Sequence, residues 1–124
     1  MLVKHQTLPA SGEKREALRR TGQFWTPDWV ADAMAEYVLQ DGANCVLDPA
    51  VGAGAFFRAV RRIADGSVCL HGYDIDPAVL NEARHTGVAD ADLRNVCLAD
   101  FVLAPPHRTY PAIIANPPYL RHHR

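Results

Sequence analysis

The sequence predicts an α/β domain built on a mostly parallel sheet. Three observations carry that expectation. Short apolar runs of strand length alternate with longer segments of helical spacing. Glycine or proline stands at nearly every junction between them. Polar side chains able to bind a ligand, Asp48, Asp74, Asp100 and Asn116, each stand at or just past the carboxyl end of an apolar run. A strand–helix–strand rhythm implies parallel strands joined by right-handed crossovers. Open sheets of that kind keep their ligands at the carboxyl ends of the strands.

The elements follow in order. Residues 1–21 form a basic arm or short helix, in which Lys4, Lys14, Arg15, Arg19 and Arg20 outweigh Glu13 and Glu16. A solvated face explains these charges better than contact with DNA phosphates does. The domain proper occupies residues 22–124. Thr26-Pro27-Asp28 predicts a helix start, with Thr26 as cap, Pro27 in the first turn and Asp28 at the positive end of the dipole. Apolar pairs at Trp29/Val30, Ala33/Met34 and Tyr37/Val38 carry that helix to about Gln40, and Gly42 stops it. The first strand spans about Asn44 to Asp48, and a glycine-bearing loop from Pro49 leads to a helix over about Ala55 to Ala64. The second strand runs from Val68 to Asp74, followed by a helix from Pro77 to about His85 closed by Gly87. The third and fourth strands lie near Asn95 to Leu98 and Ala112 to Ala115. The stretch between them, Asp100 to Tyr110, holds Pro105-Pro106 and is too short for a crossover helix, so a traversing loop is expected.

Composition narrows the functional classes. The 124 residues are 48% hydrophobic and 22% charged, typical of a globular domain. No apolar stretch approaches the ~20 residues of a membrane span, and no signal-peptide core follows Met1. Thirteen basic residues against 14 acidic ones give a net charge of −1, unlike a self-sufficient nucleic-acid binder. Phosphate contacts, if the partner is DNA, must come from elsewhere. Cys45, Cys69 and Cys97 are odd in number and widely spaced, which predicts neither disulfides nor a zinc site. They are expected to be small buried hydrophobes in a reducing, cytoplasmic protein, with no metal.

Several residues fit binding chemistry. In Asp48-Pro49-Ala50-Val51-Gly52-Ala53-Gly54, the glycines let backbone approach a ligand, and the loop opens a helix whose amides favour an anion. The third glycine of the dinucleotide fingerprint is missing, because Phe57 takes its place. Asp74 lies 20 residues after Gly54, the spacing at which a carboxylate accepts ribose hydroxyls, whereas Asp76 before Pro77 suits a helix cap. Asp100 can accept from an adenine amine with Phe101 on the base plane, although for the pair taken alone a turn aspartate and a core phenylalanine are the better explanation. Asn116-Pro117-Pro118-Tyr119 places an amide oxygen, a free carbonyl and a flat ring together, a set suited to a planar group bearing NH2. A proline-rich turn that merely ends a strand is the even alternative for this tetrapeptide.

Taken together, these motifs resemble the adenine-specific DNA methyltransferases of restriction–modification systems. The matching pieces are Gly22-Gln23-Phe24-Trp25-Thr26-Pro27, Asp48-Pro49-Ala50-x-Gly52-x-Gly54-x-Phe56, Gly72-Tyr73-Asp74-Ile75-Asp76-Pro77, Leu98-Ala99-Asp100-Phe101 and Asn116-Pro117-Pro118-Tyr119. The resemblance implies a Rossmann-like class I methyltransferase sheet in the order 3-2-1-4, with S-adenosylmethionine as cofactor. Thr26 would meet its methionine carboxylate. Asp48, Ala50, Gly52 and Gly54 would hold the methionine portion, Asp74 the ribose, and Asp100 with Phe101 the adenine. The resemblance further implies methyl transfer to N6 of an adenine flipped out of double-stranded DNA. The Asn116 amide oxygen and the Pro117 carbonyl would accept the two N–H bonds. Tyr119 would stack on the base, a contact worth on the order of 1–3 kcal/mol.

Departures shape the expectation. Val51 stands where the family often has cysteine, and the sequence stops five residues past Tyr119, where such enzymes continue. The expectation is an amino-terminal piece with an open sheet edge, prone to self-association, binding cofactor weakly and inactive alone. Two rivals remain: a methyltransferase acting on protein glutamine or an RNA base, and a non-catalytic cofactor-binding remnant.

Overall fold

The structure, a computed structural model, describes residues 26–64 and 66–116. The elements are α1 Asp28–Leu39, β1 Cys45–Asp48, α2 Ala55–Ile63, β2 Cys69–Asp74, α3 Ala78–His85, α4 Asp90–Leu93, β3 Val96–Leu98 and β4 Ala112–Ile113. The strands form one four-stranded sheet in the order β3-β2-β1-β4, and every pair is parallel. The register sets Cys45 beside Cys69, Asp48 beside Gly72, and Leu47 beside Ile113. Elements fall within a residue or two of their expected ends, and the short α4 is an addition. The basic arm at residues 1–21 and the Gly22-Gln23-Phe24-Trp25 segment lie outside the described residues.

Among the described residues, all four helices contribute to one apolar cluster on one face of the sheet. Val46 and Leu70 project into it from the strands and meet Phe57, Ala59 and Val60 of α2. Ala31 and Ala35, both fully buried, let α1 lie close over α2. Arg62 joins Asp32 and Arg58 joins Asp28 across the same helix pair. Asp92 on α4 is buried, yet Arg61 grips both its oxygens at 2.8 and 3.0 Å, so its charge is compensated.

The opposite face is covered differently. Segment 99–111 runs over it as turns without a helix, as Pro105-Pro106 requires. Tyr110 lies edge-on to His71, and Phe101 edge-on to Tyr73, each at 5.5 Å. Here the cysteine expectation needs correcting. Cys45 is buried, but Cys69 and Cys97 are exposed. Alternation along β2 and β3 turns both away from the helices, onto the face that no helix covers among the described residues.

Candidate active site

The carboxyl ends of β1 and β2 are bound together by their own acidic residues. Asp48 closes β1, is completely buried, and accepts the Ala50 N–H at 2.9 Å through Oδ1. Its Oδ2 is the one buried side-chain polar atom without a hydrogen-bond partner among the described residues. Burial pushes the Asp48 carboxyl up to about 7. The Ala50 N–H works against that rise, and the neighbouring Asp74 charge adds to it.

Asp74, closing β2, accepts the Gly52 N–H at 2.9 Å through Oδ2 and the Asp76 N–H at 3.0 Å through Oδ1. The Val51 N–H donates to the Tyr73 carbonyl at 3.0 Å, so the loop after β1 is laced to the end of β2. Two glycines make this approach feasible. Gly54 has φ +86°, and a Cβ there would lie 2.5 Å from Val88 Cγ2. A Cβ on Gly72 would lie 2.3 Å from Val51 Cγ2. Asp76 accepts the Ala78 N–H at 2.9 Å and starts α3, which matches the structural role expected of it.

Thr26 departs from expectation. It does not cap α1. Pro27 is the flanking residue, and its carbonyl accepts the Ala31 N–H at 3.0 Å. The Thr26 hydroxyl instead accepts from Asn116 Nδ2 at 2.9 Å, across 90 residues of chain. This bond uses the amide nitrogen of Asn116, so the amide oxygen is the group's remaining acceptor. Asn116 is exposed and is not locked into the interior. Pro117 and Tyr119 lie outside the described residues.

Asp100 and Phe101 stand beside this set by way of Tyr73, which adjoins Asp74 and meets the Phe101 ring. Asp100 Oδ1 accepts the Val102 N–H at 2.8 Å and shapes its own turn, while the residue stays exposed. The expected groups thus form two joined sets, Asp48–loop–Asp74 and Thr26–Asn116, with Asp100–Phe101 at the flank. Sequence reasoning missed Arg58. Its guanidinium reaches the Ala53 carbonyl at 2.7 Å, the Thr86 hydroxyl at 2.8 Å and Asp28 at 3.3 Å. It ties the loop to the start of α1 and the end of α3, and no local pattern announces a role that joins three distant segments.

Residues 13–124 match the model of the family described as N-6 DNA Methylase. The chain belongs to the N-6 DNA methylase family. Among relatives of this chain is the type II methyltransferase M.AccI of Acinetobacter calcoaceticus, 30% identical over 109 residues, spanning 87% of this chain and 20% of that one. Another is the type II methyltransferase M.XamI of Xanthomonas campestris pv. amaranthicola, 30% identical, spanning 84% of this chain and 20% of that one. The chain spans about a fifth of the length of these curated relatives. The methyltransferase subunit of a type I restriction-modification system from Streptococcus thermophilus superposes with TM-score 0.65 at 22% identity, covering 78% of this chain and 23% of that one. The plantazolicin methyltransferase BpumL, in complex with SAH, does so with TM-score 0.54 at 15% identity, covering 81% of this chain and 37% of that one. These structural likenesses establish the fold: the chain carries the Rossmann-like class I methyltransferase sheet, with the order 3-2-1-4 in the described residues.

Proposed function

We propose that this chain is the cofactor-binding and amine-receiving part of an S-adenosylmethionine-dependent DNA methyltransferase acting on N6 of adenine. The observation that carries the reading is the brace of Gly52 N–H on Asp74 Oδ2 beside buried Asp48, which joins the glycine loop to the acidic end of β2. That arrangement suits the group chemically. The unpartnered Asp48 Oδ2 calls for a donor, and the ammonium of a bound methionine moiety would be one. Ala50, Gly52 and Gly54 present backbone to that moiety with little side chain in the way. Asp74 keeps lone pairs beyond its two backbone bonds and accepts ribose hydroxyls. Asp100 keeps Oδ2 for the adenine amine, with the Phe101 ring against the base.

When bound, S-adenosylmethionine supplies an electrophilic methyl on a sulfonium. The chain's part is orientation. Asn116, held through Nδ2 by Thr26, offers Oδ1 to one N–H of the target amine, and the Pro117 carbonyl takes the other. The nitrogen lone pair is thereby turned out of conjugation toward the methyl, and Tyr119 stacks on the base. Asp48, the Ala50–Gly54 backbone and Asp74 would hold the cofactor as its methyl passes to N6 with loss of the C–S bond, and the surplus N6 proton would pass to solvent.

Double-stranded DNA with a flipped adenine is the substrate this reading requires, with grip on the duplex coming from elsewhere in the assembled enzyme, because the net charge of −1 supplies little. No helix among the described residues is long and apolar enough to cross a membrane, and the cytoplasm is the compartment proposed. Calorimetry with S-adenosylhomocysteine tests the cofactor assignment. Asp74→Ala should weaken binding by about tenfold or more, the worth of lost hydrogen bonds to two hydroxyls. Unchanged affinity would remove Asp74 from the ribose. Labelled methyl appearing in protein but not in duplex DNA would overturn the substrate.

A further inference from the structure

We propose that Cys45, Cys69 and His71 form a binding site for a soft or borderline metal ion, with Zn2+ the ion its donors suit best. The site stands on the amino-terminal halves of β1 and β2, independent of the methyl-transfer reading. Cys45 and Cys69 are register partners on adjacent strands. His71 follows Cys69 by two positions, so all three side chains share the sheet face opposite the helices. Their ligating atoms all lie within 4.8 Å of one another. Asp48 lies three residues further along β1, about 10 Å at strand rise, and on the other face.

The donor set and its surroundings fit such an ion. Two thiols and one imidazole are soft to borderline ligands, the combination that selects Zn2+ over hard cations. Around a tetrahedral Zn2+, with sulfur at about 2.3 Å and nitrogen at about 2.0–2.1 Å, ligand atoms stand roughly 3.4–3.8 Å apart. The cluster needs to close by about 1 Å to reach that spacing, and the exposed Cys69 side chain has room to do it. Tyr110 holds His71 Nδ1 at 2.7 Å, the outer hydrogen bond that commonly orients a ligating imidazole. Burial and then the Arg108 charge keep His71 below its usual value, hence in the neutral form that ligates. Burial, with the Cys69 hydrogen bond behind it, raises the Cys45 thiol, so binding there must displace its proton to solvent. Two thiolates then balance the charge of the ion beside Arg108, which stacks on Tyr110 at 4.5 Å. Three protein ligands leave a fourth position for water or an external group.

The test is a titration of the full chain with Co2+ under a phosphine reductant, followed by Zn2+. The expected result is a thiolate-to-cobalt charge-transfer band with strong tetrahedral visible bands, saturating near one equivalent and bleached by Zn2+. Cys69→Ser and His71→Gln should each weaken Co2+ binding by more than about tenfold, while Cys97→Ser leaves it intact. No charge-transfer band in the wild type, a band unchanged in Cys69→Ser or His71→Gln, or one lost in Cys97→Ser would overturn the site. Weak octahedral bands without sulfur charge transfer, as from His122 and His123 near the end of the sequence, would do the same. The wild-type melting temperature should also rise with Zn2+, and the absence of any rise would count against the proposal independently of the variants.

Discussion

Asp48 is a carboxyl that the fold holds in its protonated range. Its folded value near 7 lies above the unfolded value near 3.8. The folded state therefore holds the proton more tightly than the unfolded state. That advantage is complete below the unfolded value and is lost as pH rises to about 7. The span corresponds to about 4 kcal/mol, a large share of the stability of a small domain. Thermal melts should show a higher Tm at pH 5 than at pH 8, and Asp48→Asn should flatten that difference. An ammonium seated against Oδ2 would favour the ionised carboxylate, so S-adenosylhomocysteine should bind more tightly at pH 8 than at pH 5; equal affinity would detach Asp48 from the methionine portion. The Thr26–Asn116 bond makes a separate prediction. Thr26→Val should shift and broaden the Asn116 side-chain NH2 signal in a 15N–1H spectrum, and Thr26→Ser should restore it, because only the hydroxyl is needed. Neither feature was legible from residue spacing. The sequence places Asp48 at a strand end, but not its burial with an unpartnered oxygen. It gives Thr26 a capping role that the fold replaces with a contact 90 residues away.

At the level of elements the sequence was far more informative, because periodicity and turn chemistry act over a few residues. The strands and the helices at 28–39, 55–63 and 78–85 are announced by apolar spacing bounded by Gly or Pro. The short α4 was not, since Asp90–Leu93 is a single turn held by Arg61 on Asp92 rather than by any pattern of its own. Exposure of Cys69 and Cys97 was also illegible, because it depends on which sheet face the helices choose. The glycines allow a graded test. Gly54→Ala adds a Cβ 2.5 Å from Val88 at positive φ, so it combines backbone strain with overpacking. It should cost about 2 kcal/mol or more. Gly87 has φ +101° with nothing within 4 Å of an added Cβ, so Gly87→Ala should cost about 1 kcal/mol from strain alone. Urea unfolding of the two variants measures the difference, and equal losses would show that the Gly54–Val88 approach is not tight.

For the molecule as a whole, the decisive feature is β4, which has a sheet neighbour on one side only among the described residues. The Ile114 N–H bonds to the Leu47 carbonyl, so strand alternation turns the N–H and C=O of Ile113 outward. Its side chain is 54% exposed, and beside it runs an apolar groove lined by Met34, Tyr37, Val38 and Ile114. An unpaired strand with apolar flanks is a template for another strand. The chain is therefore expected to self-associate through this edge, with sedimentation showing a concentration-dependent shift to dimer. Ile113→Pro removes the outward donor and leaves in place the Ile114 N–H bond to the Leu47 carbonyl of β1. It should yield monomer at concentrations where the wild type associates. Ile113→Lys should act in the same direction by placing a charge on the edge. A wild type that stays monomeric at high concentration would remove the edge as an association surface. A Pro variant that still dimerises would move the interface to the exposed Trp29 and Tyr37 side of α1.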